Sequence, residues 1–334
     1  ESTPVSSGKK GHSTPSGIYS ILQKRKWHRS NLYSAAPMPF MQRITWSGLA
    51  LHAGRLPGYA ASHGCIRLPD KFARKLFTMT GLGADVVVSD EAVKPRPIEH
   101  GFLFQPRAVQ QPDEMLVAEL GGPVTAATGG LGQTGLAPAA DELASERSRS
   151  PLRILITRRT AREKMMDLQS LLAELGHDPG EIDGYLGGNT GAAIQSFQRA
   201  SDLRPTGMVS DELIDALYQT AGRDKIEHHL YVRQDHRPLF DVPVLLTAPQ
   251  APLGTHVFTA MPFGDDAEKA SWTALSLSGD EAAGAEAALS RIAVSATIRR
   301  RISDLLTPAS TVVISDHGLG RETGKGTDFI VQPL

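Results

Sequence analysis

The stretch LHAGRLPGYAASHGCIRL, Leu51 to Leu68, concentrates the residue types that can do covalent chemistry. It holds the chain's single cysteine, Cys65, after Ser62, His63 and Gly64 and before Ile66 and Arg67, with His52 thirteen positions upstream. A cysteine attacks a carbonyl as the thiolate, so it needs a nearby base or a field that lowers its pKa. His52 and His63 are both candidate bases. Pro69 opens PDKFARKLF, where Phe72, Leu76 and Phe77 share one apolar face, so the spacing predicts a helix from Pro69 to Met79. A helix start there would place Cys65 just ahead of a positive dipole end, which stabilises a thiolate and later an oxyanion, and the thiol is expected to be acidic. A lone cysteine is often a small buried apolar residue, but Ser-His-Gly-Cys among glycines would make a poor core strand. His63 either acts as the base or shapes the oxyanion loop through its backbone. Arg67 either binds a substrate carboxylate or braces the loop.

These residues resemble the signature of the L,D-transpeptidase family: an upstream histidine, a spacer, then Ser/Thr-His-Gly-Cys, an apolar residue, and Asn or Arg. His52, Ser62, His63, Gly64, Cys65, Ile66 and Arg67 occupy those positions. The resemblance implies that Cys65 is the acylated nucleophile and His52 its proton acceptor and donor. It implies peptidoglycan stem peptides and glycan strands as partners, the periplasm or bacterial cell wall as the compartment, and no metal or organic cofactor. The spacing from His52 to Cys65 is shorter than is usual in the family, so a trimmed active-site loop is expected. Thr3 to Gly8 looks like a later strand of that domain, so the strands and any export signal expected before it would lie outside this chain.

The elements that must position the motif follow from pattern. Residues 1 to about 100 read as strands and turns, with GIYSIL at Gly17–Leu22 and the run from Met41 to Leu51 alternating, and Asp85 to Val88 as a buried strand. Lys24 to Arg29 (KRKWHR) is a basic loop, read as a solvated face or as a contact for stem carboxylates. Residues 105–150 are rich in Gly, Ala, Thr and Ser without apolar period and read as a flexible linker, with the helical unit beyond it expected to move independently.

Residues 151–222 read as a three-helix unit. Leu168, Leu171, Leu172 and Leu175 form one apolar face ended by Gly176, Asn189-Thr190 caps a second helix burying Ile194 and Phe197, and Ser210 caps a third burying Leu213, Ile214 and Leu217. With Gln169, Asp183-Gly184, Gln198 and Thr206-Gly207, this segment is similar to the small peptidoglycan-binding domain. Asp183 and Gln198 read as turn and cap residues.

Residues 223–334 repeat pieces of the N-terminal region: Pro15-Ser-Gly17 recurs as Pro252-Leu-Gly254, and Val86 to Asp90 (VVVSD) as Val312 to Asp316 (VVISD). No cysteine recurs. The expected fold is thus multidomain: a mainly β catalytic domain (1–104), a linker, a small all-α domain, and a C-terminal α+β region resembling a degenerate copy of the first. A net charge of −1 supplies no global field toward nucleic acid or anionic lipid, and no run is long enough to span a membrane. No obligate protein partner is implied. The glycines around Lys325 match no phosphate-loop spacing, and the adjacent His228 and His229 would point apart on a strand, so neither predicts a phosphate or metal site.

Overall fold

The computed structural model describes residues 1–30, 35–107, 150–225, 227–263, 269–277, 281–320, 323–325 and 327–331. Most of the expected linker, 108–149, lies outside the described residues.

The N-terminal region folds as β1 (Gly17–Ser20), β2 (Gln23–Arg25), β3 (Met41–Arg43), β4 (Ala50–Ala53), β5 (Ile66–Leu68), α1 (Asp70–Met79) and β6 (Asp85–Val88). Strands β2 to β5 form one sheet in chain order. The first two pairings are antiparallel, but β4 and β5 run parallel, with His52 opposite Arg67. Parallel neighbours cannot be joined by a tight hairpin and need a crossover. Residues 54–65 are that crossover, and it ends on Cys65. The helix begins at Asp70 with Pro69 as its cap, so β5 separates it from Cys65. The expectation that Cys65 sits directly ahead of a helix N-terminus is therefore corrected: Ile66, Arg67 and Leu68 are drawn into the sheet by pairing with β4.

Beyond β6 come β7 (Arg96–Ile98), β8 (Arg153–Arg158), α2 (Ala161–Glu174), α3 (Gly188–Ala200), α4 (Asp211–Thr220), β9 (His228–Gln234), β10 (Arg237–Leu246), β11 (Thr255–Ala260), β12 (Trp272–Ser276), α5 (Glu281–Ser290), β13 (Ile292–Ala293), α6 (Ala296–Leu305) and β14 (Thr311–Ser315). Eight of these strands form one sheet in the order β13-β10-β9-β8-β14-β11-β12-β7.

Two boundaries read from the sequence shift accordingly. Strand β7 pairs with β12, and the adjoining Phe102, Leu103 and Phe104 are buried in the core of the large sheet, so residues 96–107 pack with the C-terminal region. Strand β8 is central in that sheet, parallel to β14 and antiparallel to β9. Its short apolar run, LRILIT, fits a helical unit or a buried strand equally well until its partners are known. The three helices are thus an insertion between two neighbouring strands rather than a module at the end of a linker. An ionic cluster fastens their base: Arg159 binds Asp167, with a hydrogen bond of 2.9 Å from Nε, and the Tyr231 hydroxyl on β9 donates to Glu163 at 2.7 Å.

Within the insertion, Leu168, Leu171, Leu172, Ala193, Ile194, Phe197, Leu213 and Leu217 form a closed core. Burying such side chains contributes ~1.5–3 kcal/mol each, against ~1 kcal/mol for a cap, so the core decides the fold. Thr160 and Glu163 form a reciprocal capping box on α2, and Ser210 caps α4. The cap expected at Asn189-Thr190 is corrected: Gly187 is the N-cap of α3, and Thr190 is buried, accepting from Gln169 at 3.1 Å and donating to the Pro179 carbonyl at 3.2 Å.

The first domain sits against the large sheet. Ile18, Leu155, Tyr231, Val257, Val313, Phe329 and Val331 make a shared apolar cluster, and Arg153 on β8 pairs with Asp85 on β6 at 3.5 Å. The edge of β1 away from β6 is covered by Val331, which exchanges two backbone hydrogen bonds with Ile18 (2.7 and 2.9 Å). Among the described residues no helix is long and apolar enough to cross a membrane.

Candidate active site

Cys65, His52, Ser62, His63 and Arg67 all line one open cavity of about 620 Å³, together with Pro37, Met38, Gly54, Arg55 and Asp70. The parallel pairing of β4 and β5 sets His52 beside Arg67, and the crossover loop delivers Cys65 at the start of β5.

The loop is held by Ser62. Its buried hydroxyl donates to the Cys65 carbonyl at 2.5 Å and accepts from the Gly64 N–H at 3.1 Å, closing the Ser-His-Gly-Cys turn on itself. Gly64 has φ +110°, a conformation open to glycine and strained for other residues, and a Cβ there would lie 2.7 Å from the Leu49 side chain. Thr14 adds a brace, donating to the Gly64 carbonyl at 2.7 Å. Gly64→Ala is expected to cost ~1–3 kcal/mol through backbone strain, read as a lower denaturant midpoint, and to slow reaction at Cys65 by displacing the turn.

Cys65 is half-buried against Met38, Met41 and Ala50, and its Sγ is 3.5 Å from the Gly48 carbonyl, to which the thiol donates. Burial pushes the thiol pKa up, outweighing the Ala50 N–H and the charges of Arg67 and Arg43, which pull it down. The expectation of an acidic thiol is corrected: with a strand rather than a helix end following Cys65, desolvation wins. At neutral pH the Cys65 side chain is thus held as the thiol, which would need a base in order to attack.

His52 is buried, and its pKa is lowered by burial, with the Ala53 carbonyl opposing and Arg67 assisting. A neutral imidazole at neutral pH is the form a general base requires. The ring Nδ1 is 2.8 Å from the Ala53 carbonyl. That acceptor holds the proton on Nδ1 and leaves the lone pair on Nε2. Among the described residues, His52 and Cys65 share the cavity without a hydrogen bond between them.

His63 is exposed at the cavity rim, its ring 4.8 Å from that of His12. Arg67 is fixed through its backbone, which exchanges bonds of 3.1 and 2.9 Å with Ser6, while among the described residues its guanidinium makes no hydrogen bond or ion pair. Gly48, Met38 and Thr14, which hold Cys65 and its loop, carry no chemical signal in the sequence. Among the described residues no group of three or more His, Cys, Asp or Glu is placed to hold a metal ion.

Residues 1–88 match the L,D-transpeptidase catalytic domain model, and residues 161–217 match a peptidoglycan binding domain model. Among solved structures, an L,D-transpeptidase from Stackebrandtia nassauensis is 30% identical over 25% of this chain and 42% of its own, with a TM-score of 0.24. One from Mycobacterium tuberculosis H37Rv is 30% identical over 26% of this chain and 42% of its own, TM-score 0.25. SltB3 from Pseudomonas aeruginosa, in complex with NAG-NAM-pentapeptide, is 39% identical over 17% of this chain and 15% of its own, TM-score 0.17. The chain therefore spans less than half the length of each of these structures. No curated protein matches it. The chain carries an L,D-transpeptidase catalytic domain at residues 1–88 and a peptidoglycan-binding domain at residues 161–217.

Proposed function

We propose that the chain is a cysteine L,D-transpeptidase that crosslinks peptidoglycan stem peptides in the bacterial periplasm or cell wall. The observation that carries this reading is the sharing of one cavity by a thiol, an imidazole with its Nε2 lone pair available, and the Arg67 guanidinium, which makes no ion pair among the described residues. His52 Nε2 takes the Cys65 proton as Sγ attacks the carbonyl of the third stem residue. The bond to the terminal D-alanine breaks, and that amine leaves with the proton. An acceptor amine then attacks the thioester, gives up a proton to His52, and frees Cys65. No step calls on a metal or organic cofactor. In this reading Arg67, which lines the cavity, binds the stem carboxylate, and Arg67→Gln is expected to raise the donor KM about tenfold, since a hydrogen bond to a charged group contributes ~1.5–3 kcal/mol.

We read the C-terminal region as a non-catalytic relative of the first domain. In both, the strand after Pro-x-Gly pairs antiparallel with the strand leading into Ser-Asp, β1 with β6 and β11 with β14. In both, that aspartate accepts hydrogen bonds from the Pro-x-Gly turn: Asp90 from the Ser16 hydroxyl, Asp316 from the Leu253 and Gly254 N–H groups.

Mass spectrometry of products from purified tetrapeptide muropeptides tests the activity. Dimers joined through third residues are expected. Tripeptides alone would make the chain a carboxypeptidase, water resolving the same thioester, and unchanged substrate with unmodified Cys65 would leave a wall-binding scaffold.

A further inference from the structure

Three cavities run side by side across this face of the first domain. The Cys65 cavity shares Ser30 and Met38 with one of about 150 Å³ that includes Gly48 and Ala50. That one shares His28, Arg43 and Trp46 with a third, of about 470 Å³, completed by Gln23, Arg25 and Trp27. Cys65 lines the first of the three, and Gly48, the acceptor of its thiol hydrogen bond, lines the middle one, which separates the thiol from the third.

Strand alternation builds the third cavity. Gln23, Arg25 and Trp27 fall on one face of β2 and its continuation, and the register sets Arg43 opposite Gln23. Lys24 faces the other way, its ammonium bound to the Phe77 and Thr80 carbonyls at the end of α1. The basic run from Lys24 to Arg29 is therefore divided: Lys24 braces a helix, while Arg25, Trp27 and His28 line a groove. The groove is prepared rather than incidental. Arg43 Nε donates to Gln23 Oε1 at 3.2 Å, Trp46 Nε1 donates to the Lys325 carbonyl at 3.0 Å, and Trp27 rests on Phe40 with ring centroids 6.4 Å apart. Yet Trp27 is 74% exposed and Trp46 43%. No carboxylate among the described residues lines the groove, and among them the Arg25 guanidinium makes no hydrogen bond or ion pair. Burial and the two arginines hold the His28 pKa down, so it adds hydrogen-bonding capacity rather than charge.

We propose that this groove is a second binding site, for a saccharide–peptide bearing free carboxylates, and that it holds the acceptor strand beside the Cys65 thioester. Exposed indole faces offer flat apolar surface to a sugar ring, and guanidinium groups bind carboxylates with directional, charge-assisted hydrogen bonds. The reaction proposed above needs two strands at once, and this inference rests on that reading for its acceptor role. Aromatic and basic residues can also stack bases and bind phosphates, but a chain of net charge −1 with two arginines here supplies little of the field that nucleic acid requires.

The experiment uses the full chain carrying Cys65→Ala and a soluble disaccharide–tetrapeptide, followed by tryptophan fluorescence. The chain has three tryptophans, and Trp272 is buried and bonded to the Phe104 carbonyl, so contact quenching reads Trp27 and Trp46. Saturable quenching is expected. It should weaken about tenfold in Arg25→Gln, recover partly in Arg25→Lys, and weaken when the ligand's carboxylates are amidated. Trp27→Ala should remove most of the signal. With Cys65 intact, Arg25→Gln should raise the acceptor KM about tenfold and leave the rate of Cys65 acylation by donor unchanged. An unchanged Kd in both Arg25→Gln and Trp27→Ala would overturn the site, as would a short single-stranded oligonucleotide that binds more tightly than the saccharide–peptide. Failure of the reaction itself reads separately, as absence of acyl-Cys65 while groove quenching persists.

Discussion

Cys65→Ser is expected to abolish covalent labelling of the chain by a tetrapeptide donor or a carbapenem while leaving the fold unchanged. The replacement is nearly isosteric, and its neighbours Met38, Met41 and Ala50 keep their packing. What is lost is the thiolate nucleophile, since a serine hydroxyl at neutral pH is far less reactive. The wild-type thiol carries its own signature. Because burial raises its pKa, the folded protein holds the proton at pH values where a free cysteine, titrating near ~8.5, has begun to ionise. Iodoacetamide labelling without substrate should therefore be slow at neutral pH and rise only above the range for a free thiol. Acylation by donor should be fast at neutral pH, because the base removes the proton within the reaction. Rapid iodoacetamide labelling at mildly acidic pH would mean a preformed thiolate–imidazolium pair and would overturn this account.

His52→Ala is expected to slow acylation of Cys65 by roughly 10²–10⁴-fold, the usual worth of a positioned general base. Its Nδ1 faces the Ala53 carbonyl, so the ring is oriented before substrate arrives. Its pKa is lowered from the ordinary histidine value of 6.5, so the neutral form persists into mildly acidic solution. The sign follows directly. Acylation should lose rate only as pH falls below that ordinary value, and the loss should move with His52 and not with His63. His63→Ala should slow acylation by less than tenfold, since that ring is exposed and lies tilted against His12 at the cavity rim. Acylation at the wild-type rate in His52→Ala, with His63→Ala inactive, would reverse the assignment.

The candidate site's local turn is legible in the sequence because its residues are close in the chain and rare in type. Ser62, His63, Gly64 and Cys65 are a local turn, and His52 falls two residues before the crossover. The protonation state of Cys65 is not legible, because it depends on Met38, Met41 and Ala50 and on whether a strand or a helix follows. Pairing with β4 decides that, and pairing is a long-range fact. The helical unit shows a similar division. Its leucine spacing identifies α2 and α4 well, while Thr190 reads as a cap and is in fact a buried partner of Gln169. The greatest departure is β8. LRILIT lies next to the helices in sequence, and its place at the centre of a sheet assembled from residues 96 to 315 emerges only from pairing with β9 and β14.

Because Arg158 lies opposite His228 where the helical unit leaves and rejoins the sheet, that unit hangs by both ends from one spot. Tension on it would load β8 and β9 at the same end, in the peeling direction, in which ladder bonds break singly in succession instead of sharing the strain. Arg159 stands at the head of that seam, joined to Asp167 in the unit and within 3.8 Å of Asp241 on β10. A pull on the helices is thereby passed to a third strand before the first rung opens, and this ionic cluster acts as the rivet of the joint.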